Sequence, residues 1–287
     1  MRFDGARVAL LESRLGAETA AMVRRLGGAP IVAPSLAEVE VDADGGIRDL
    51  VARLAASADT VIVFLTGAAV TRLFASADRL GVGDSLPAAL AAVTTIARGP
   101  KPAGALARRG VKATTVVPEP FTTADVIASL AEVPVNAREV TVVHYGERSE
   151  AVVSSLVARG ANVHELMLYE WRLPEDIGPL SRVVDLVVGG AIDVLAFTSQ
   201  IQVRHLLEVA GPKRRDALVA ALNTAVIVGA VGPTCAAACE AAGLRGVITP
   251  VHPKLAPLLS ALATAHAGRR AGERRPMKES RRDDRTG

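Results

Sequence analysis

The sequence contains an internal repeat, in which residues at turns and element ends recur 133 positions further along the chain. Most of the recurring residues are glycine, proline or small side chains, which are the residues that end helices and form turns. The pairs are Gly27 with Gly160, Thr66 with Ser199, Val70 with Val203, Gly99-Pro100 with Gly232-Pro233, Ala103 with Ala236, and Gly110 with Gly243. Matches at a single offset are not expected by chance, so we predict a duplicated structural unit.

Short apolar runs rich in β-branched residues alternate with stretches of helical spacing, such as Thr19, Met22, Val23 and Leu26. Strands that are apolar throughout are typical of parallel sheets covered by helices on both faces. The predicted strands are Val8–Leu11, Thr60–Leu65, Val93–Ala97, Thr114–Val117, Val140–Tyr145, Val163–Tyr169, Val194–Phe197, Ala225–Val228 and Val247–Thr249. The sequence therefore predicts an α/β fold with two similar parallel-sheet domains of the flavodoxin or Rossmann type.

Length and composition agree with two domains built from aliphatic cores. The chain has 287 residues, half of them hydrophobic and only 3% aromatic, which suits helices packed on parallel strands. No apolar run reaches the roughly 18 residues that a membrane span requires. The first residues contain Asp4 and no long apolar segment, which is not typical of a signal peptide. We expect a cytoplasmic protein that does not bind membranes.

The net charge of +3 comes from the end of the chain. Residues 268–287 hold eight Arg or Lys and four Asp or Glu, which leaves 25 basic and 26 acidic residues elsewhere. This segment has no apolar periodicity, so we predict a disordered, solvated basic tail over 267–287 rather than a nucleic-acid-binding arm. The two cysteines, Cys235 and Cys239, lie four apart in a helical stretch without further ligands nearby in sequence, and we expect buried small residues rather than a metal site.

The turns after the strands are the candidate binding surface. Ligands of open α/β sheets bind at the carboxyl ends of the strands, where helix N-termini present unpaired N–H groups and partial positive charge. The repeated residues Thr66 and Ser199 and the turns that carry Lys101 and Thr234 fall at such positions. Two surfaces of this kind predict a large anionic ligand held between the domains. The alternative for Thr66 and Ser199 is helix capping, and for Lys101 a solvated lysine.

In order and spacing, several segments together resemble the uroporphyrinogen-III synthase family over nearly all of residues 6–262. They are RVALLESR, DTVIVFLTGAAVTRLF, IARGPKPAGALARRG, VTVVHYGERSEAVVSSLVARGANVHELMLYEW, DVLAFTSQIQVRHLL and VIVGAVGPTCAAACEAAGL. The resemblance implies a discontinuous first domain (1–36 and 174–266) and a second domain (37–173). Two crossing segments, near Pro34–Val41 and Tyr169–Pro174, would form a hinge beside a cleft.

The resemblance also implies an activity. Members of the family convert hydroxymethylbilane, a linear tetrapyrrole with eight carboxylates, into uroporphyrinogen III with its fourth ring inverted and with loss of water. The reaction uses no metal or organic cofactor and belongs to tetrapyrrole and heme biosynthesis. It needs the substrate held in one folded geometry more than it needs reactive groups. We expect a monomer that receives its substrate from hydroxymethylbilane synthase, with transient hand-over as one route.

The resemblance places Tyr169 at the strand end where the family carries a tyrosine, and a phenol there can assist loss of the substrate hydroxyl. The alternative is a tyrosine that only packs beside Trp171. The implied substrate-binding residues are Arg14, Thr66, Lys101, Arg148, Thr198, Ser199, Gln200 and Thr234. The arginines are equally compatible with surface charges, and we assign no role to His144 or His164.

The chain departs from the family pattern at Pro102 and Cys235, where threonine is common, and at Leu65-Thr66, where Thr-Ser is common. These differences leave a second hypothesis open, a non-catalytic regulatory module of the same fold that binds a tetrapyrrole or another small ligand without turnover. Such regulators are typically joined to a winged-helix domain, for which the tail is too short. A third hypothesis is a two-lobed sugar- or amino-acid-binding protein, which would usually carry a signal peptide.

Overall fold

The computed structural model describes residues 2–13 and 15–273. The chain folds into two compact units. Unit 1 consists of the residues up to Ala37 and those from Leu173 onward, and unit 2 of Glu38–Arg172. None of the described helices is long and apolar enough to span a membrane.

The described residues form strands and helices in alternation through most of the chain. The strands are β1 (Arg7–Leu10), β2 (Ala29–Val32), β3 (Ala37–Glu40), β4 (Thr60–Phe64), β5 (Thr94–Ala97), β6 (Thr115–Val116), β7 (Glu139–Val143), β8 (Asn162–Leu166), β9 (Tyr169–Arg172), β10 (Val194–Phe197) and β11 (Ile227–Ala230). The helices are α1 (Gly16–Arg25), α2 (Asp44–Ala56), α3 (Gly67–Arg79), α4 (Leu86–Ala91), α5 (Pro100–Ala107), α6 (Thr123–Ala131), α7 (Glu150–Ala158), α8 (Gly178–Val188), α9 (Gln200–Thr224), α10 (Pro233–Ala241) and α11 (Leu255–Glu273). Helix α9 is broken at Gly211, whose φ is 63° and which precedes Pro212.

Unit 2 contains a five-stranded sheet in the order β6-β5-β4-β7-β8, and every pairing is parallel. Unit 1 contains a four-stranded parallel sheet in the order β11-β10-β1-β2, extended by a parallel bridge from Gly229 to Ile248. Strands β3 and β9 form a separate two-stranded sheet. The predicted α/β fold with parallel sheets is confirmed.

Both faces of the five-stranded sheet and of the four-stranded sheet pack against hydrophobic cores, as the continuously apolar strands predict. Along β4, Val61 and Val63 pack into one core and Ile62 and Phe64 into another, because successive side chains point to opposite faces. Strand β1 divides in the same way, with Val8 and Leu10 on one face and Ala9 on the other. Burying one such aliphatic or phenyl side chain contributes about 1.5–3 kcal/mol.

The sequence repeat is present in both sheets. A shift of 133 residues takes β1 to β7, β2 to β8, β4 to β10 and β5 to β11. The same shift takes the β6 residue Thr115 to Ile248, which bridges to β11, so the two strand orders are equivalent. Each compact unit therefore combines the first strand-helix-strand segment of one repeat with the later strands of the other.

Some predicted elements differ from the observed ones. Strands β2 and β3 are absent from the prediction because they are short and only partly buried. The predicted strand Val163–Tyr169 is two strands, the predicted strand Ala225–Val228 lies two residues too early, and the run Val247–Thr249 contributes only the bridge at Ile248. The tail predicted from 267 begins too early, because α11 continues to Glu273, and 274–287 lie outside the described residues.

Candidate functional site

At the carboxyl edge of the unit 2 sheet, the N-termini of α3 and α5 lie side by side. Thr66 follows β4 and caps α3, its side-chain oxygen accepting a hydrogen bond from the Ala68 N–H at 3.0 Å. A Cβ atom on Gly67 would fall 2.9 Å from the carbonyl oxygen of Lys101 at the start of α5, so glycine is required for this close approach. Two helix N-termini at one edge provide N–H donors and positive potential for an anion.

The Gly-Pro turn before α5 places one predicted residue in solvent. Lys101 is exposed at the second position of the helix, and its ammonium group adds a full positive charge beside the backbone donors. Pro102 is buried and has no N–H group, so this position of the first turn offers no donor to a ligand.

Tyr169 begins β9 and is 2% exposed. The guanidinium carbon of Arg72 lies 4.3 Å from the centroid of the tyrosine ring, and Arg72 also forms an ion pair with Glu38. The Trp171 ring packs edge-on at a centroid distance of 6.4 Å. The phenol ring is therefore held on two sides, by a cation and by an aromatic ring.

Arg148 lies in the turn after β7 and is engaged with carboxylates. Its Nε and Nη2 donate to both oxygens of Glu165 at 2.6 and 2.8 Å, and this pairing raises the pKa of Arg148. The Nδ1 atom of His144 accepts from the Ser149 N–H at 3.2 Å, which leaves Nε2 to donate to Glu165 at 2.9 Å. Burial lowers the pKa of His144, and the hydrogen bond from Arg148 lowers the pKa of Glu165.

The carboxyl edge of the unit 1 sheet holds a hydrogen-bonded cluster of Glu12, Thr198 and Gln202. The Thr198 hydroxyl, directly after β10, donates to the Oε1 atom of Glu12, which follows β1. Buried Gln202 joins the two strand ends: its Oε1 accepts from the Thr198 N–H at 2.7 Å, and its Nε2 lies 3.3 Å from both Glu12 Oε1 and the Leu11 carbonyl oxygen. Burial raises the pKa of Glu12, and the hydrogen bond from Gln202 opposes this effect.

Three other predicted residues of unit 1, Ser199, Gln200 and Thr234, lie at helix N-termini. Ser199 precedes α9 with the same extended backbone as Thr66, but its hydroxyl is buried without a hydrogen-bond partner and makes no capping bond. Gln200 is half-buried in the first turn of α9, and Thr234 is exposed in the first turn of α10. Arg14 lies outside the described residues.

The two cysteines are buried in unit 1 on one face of α10. A hydrogen bond between the thiols lowers the pKa of Cys235 and raises that of Cys239, whose burial acts in the same direction. Within residues 2–13 and 15–273, no group of three His, Cys, Asp or Glu side chains is arranged to hold a metal ion.

The sequence prediction does not include Glu12 or Gln202. The signal for Glu12 is available in the sequence, since it directly follows the apolar run Val8–Leu11, as Thr66 follows its own strand. Gln202 has no such signal, because only the bend of the chain into α9 brings its amide back to β1.

Comparisons with known proteins agree with this fold. The family model described as uroporphyrinogen-III synthase HemD matches residues 17–260. Protein YjjA of Bacillus subtilis, described as uncharacterized, is 28% identical over 252 residues, which are 86% of this chain and 90% of that protein.

Two crystal structures of uroporphyrinogen III synthase from the extremely thermophilic bacterium Thermus thermophilus are similar to this chain. A mutant form has 27% identity and a TM-score of 0.72, covering 94% of this chain and all of that one. The wild-type enzyme has 30% identity and a TM-score of 0.60, covering 92% and 99%. With the family model matching most of its length, the chain belongs to the uroporphyrinogen-III synthase family.

Proposed function

We propose that this chain is a uroporphyrinogen-III synthase, which cyclises hydroxymethylbilane to uroporphyrinogen III with inversion of the fourth ring and loss of water. Family membership supports the reaction class and the substrate. We also propose that units 1 and 2 are the two domains of the enzyme, that it acts as a monomer in the cytoplasm, and that it receives the bilane from its synthase, with transient hand-over as one route.

The observation that carries the proposal is the pair of helix N-termini at the edge of the unit 2 sheet. The backbone at Gly67 lies close to that of Lys101, which brings the first turns of α3 and α5 together. Lys101 supplies the backbone donor of α5, because Pro100 and Pro102 have no N–H group. Such donors bind anions, which include carboxylates such as propionate and acetate. A substrate with eight carboxylates needs several of these anchors, and the repeat supplies equivalent helix starts at Ser199 and Gly232 in unit 1.

Substrate contacts are proposed for Thr66, Lys101, Thr198, Ser199, Gln200 and Thr234, with Arg14 and Arg148 as further cations. Ser199 is the best supported of these, because its buried hydroxyl has no partner and a ligand oxygen would supply one. Arg148 reaches a substrate carboxylate only by exchanging its contacts with Glu150 and Glu165.

Tyr169 is proposed as the group that assists departure of the substrate hydroxyl. A phenol donates a hydrogen bond to the oxygen as the C–O bond breaks, and the product is water and an electrophilic azafulvene. The fourth pyrrole then attacks at its substituted carbon, and the spiro intermediate fragments and recloses as the type III isomer. Most of the catalysis on this proposal comes from holding the bilane in one geometry.

One pair of observations favours a second candidate function. Pro102 and Cys235, at positions where the family commonly has threonine, are both buried and offer no hydroxyl to a ligand. A chain weakened in this way would bind a tetrapyrrole without converting it, as a non-catalytic regulatory module.

A coupled assay separates the two functions. Hydroxymethylbilane is generated by its synthase in the presence of this protein, and the oxidised products are resolved by chromatography into type I and type III isomers. Excess type III supports the enzyme. Type I alone, together with saturable binding of a linear or cyclic tetrapyrrole to the folded protein, supports the regulatory module.

A further inference from the structure

We propose that Glu12 accepts a proton from the N–H group of the pyrrole ring that carries the hydroxymethyl substituent. This inference rests on the proposed function and adds to it a base, which lies in unit 1. It is supported by the position of Glu12, by the groups that surround it and by the chemistry of the bilane.

Glu12 lies at the edge where parallel sheets bind their ligands. It follows β1, the strand next to β10 in the unit 1 sheet, and its side chain is only partly buried. Thr198 and Gln202 both bond Oε1, so the carboxyl group is held in one orientation. A fixed, partly exposed carboxyl group at this edge is placed to contact a ligand.

The neighbours that hold Glu12 are neutral. Hydrogen bonds from a hydroxyl and an amide orient the carboxylate without neutralising its charge. Burial raises the pKa of Glu12, which makes the carboxylate a stronger base than an exposed glutamate. No salt bridge to Glu12 occurs among residues 2–13 and 15–273.

The substrate offers few partners to a carboxylate. Its eight carboxylates are repelled by Glu12, which leaves the pyrrole N–H groups and the terminal hydroxyl as hydrogen-bond donors. An N–H group whose ring is forming an azafulvene becomes more acidic as the C–O bond breaks. The attraction to a base is therefore stronger in the transition state than in the bound substrate, as catalysis requires.

The protons balance over the step. The N–H proton passes to Glu12, the nitrogen lone pair forms the exocyclic double bond, and the hydroxyl takes up a proton from solvent and leaves as water. When the fourth pyrrole attacks the methylene carbon, the first ring takes its N–H proton back from Glu12. The attacking ring releases its own N–H proton to solvent, which balances the proton taken up when water leaves.

The test is Glu12→Gln in the coupled assay, because glutamine retains an oxygen that Thr198 and Gln202 can bond but is not a base. We expect kcat for type III formation to fall by about 100-fold, within the range of general acid–base catalysis, while KM changes by less than about 3-fold. The kcat/KM of the wild type should fall toward low pH as Glu12 becomes protonated, and this limb should be absent in the variant. Glu12→Asp should restore part of the rate and the acid limb.

The matched control is Glu240→Gln, which removes an exposed carboxylate near the end of α10 in the same unit and should leave kcat unchanged. If Glu12→Gln still forms type III with the rate and pH profile of the wild type, Glu12 is not the base. That result would overturn this inference and leave the proposed function intact. A wild-type chain that yields only type I would overturn the proposed function and this inference with it.

Discussion

Tyr169 and Tyr145 are the two tyrosines of the chain, and both pack edge-on against Trp171. Replacing Tyr169 by phenylalanine keeps the buried ring beneath Arg72 and removes only the hydroxyl. We predict a fall in kcat for type III formation of about 10-fold or more, since positioned acids contribute about 10²–10⁴-fold and water can partly substitute.

The control for this prediction is Tyr145→Phe, which removes a hydroxyl from the same aromatic cluster and should change kcat by less than about 3-fold. Equal losses in both variants would assign the effect to the cluster rather than to the Tyr169 hydroxyl. Wild-type activity in Tyr169→Phe would remove Tyr169 from the mechanism and leave it a packing residue.

The repeat supplies a second matched pair in Thr66 and Ser199. The two residues have the same extended backbone before a helix, yet only Thr66 makes a capping hydrogen bond. Thr66→Ala should lower the free energy of unfolding by about 1 kcal/mol, whereas Ser199→Ala should not lower it, because the buried Ser199 hydroxyl has no bond to lose. Urea unfolding of both variants checks this, and a larger loss for Ser199→Ala would contradict the assignment.

The positions of these residues at strand ends and helix starts could be predicted from the sequence, whereas their hydrogen bonds could not. Thr66, Ser199 and Lys101 were identifiable because they follow apolar strands, and the structure places them at strand ends and helix starts as expected. Thr66 makes a capping hydrogen bond and Ser199 makes none, although their backbone conformations are the same. The difference therefore lies in the rotation of the side chains, which the sequence repeat does not predict. Glu12 was missed although it directly follows the apolar run Val8–Leu11, because its hydrogen bonds to Thr198 and Gln202 are visible only in the structure.

At the scale of elements, the turn after β7 depends on a glycine. Gly146 has a φ of 72°, and a Cβ there would lie 2.8 Å from the Trp171 ring. Gly110 has a similar φ of 76° but open space around it. Gly110→Ala should therefore lower the free energy of unfolding by about 1–2 kcal/mol from backbone strain, and Gly146→Ala by distinctly more.

The fluorescence of Trp171, the one tryptophan of the chain, reports this difference. Gly146→Ala should shift its emission in the native state, because the ring has to move, while Gly110→Ala should leave the emission unchanged. Equal destabilisation by the two substitutions, with no shift in emission, would contradict the close packing of Trp171 on the turn.

His144, Arg148, Ser149 and Glu165 form a hydrogen-bonded network that joins β7, β8 and the start of α7. This network makes the free energy of unfolding depend on pH. Burial lowers the pKa of His144 below its ordinary value of 6.5, so the unfolded chain binds more protons than the folded one below that pH. The free energy of unfolding should decrease as the pH falls below about 6.5 and decrease further below about 4.5, where the lowered pKa of Glu165 acts in the same direction.

His144→Gln should flatten the slope between pH 6.5 and the lower pKa of the folded state, measured by urea unfolding at several pH values. The control is His252→Gln, which replaces an exposed histidine outside this network and should keep the slope of the wild type. An unchanged slope in His144→Gln would show that His144 does not carry this pH dependence.

At the scale of the whole molecule, the sequence repeat and the compact units do not coincide. The strand-helix-strand segment β1-α1-β2 belongs to the first repeat but completes a sheet with β10 and β11 of the second, and β7-α7-β8 does the reverse with β4 and β5. The repeat was visible in the sequence because glycines at positive φ, such as Gly27 and Gly160, tolerate few replacements. Hydrophobic patterns alone do not show which strands pair, because the strands of both repeats are similarly apolar. The assignment of the segments to the two domains therefore came only from the family resemblance.

The measurement that tests the central claim most directly is the isomer composition formed from hydroxymethylbilane by the wild-type protein. Bilane that closes without enzyme gives the type I isomer, so the type III fraction measures enzymatic control of ring inversion. The account predicts that type III predominates and that its fraction rises with protein concentration until it saturates. Type I alone, at every concentration of folded protein, would contradict it.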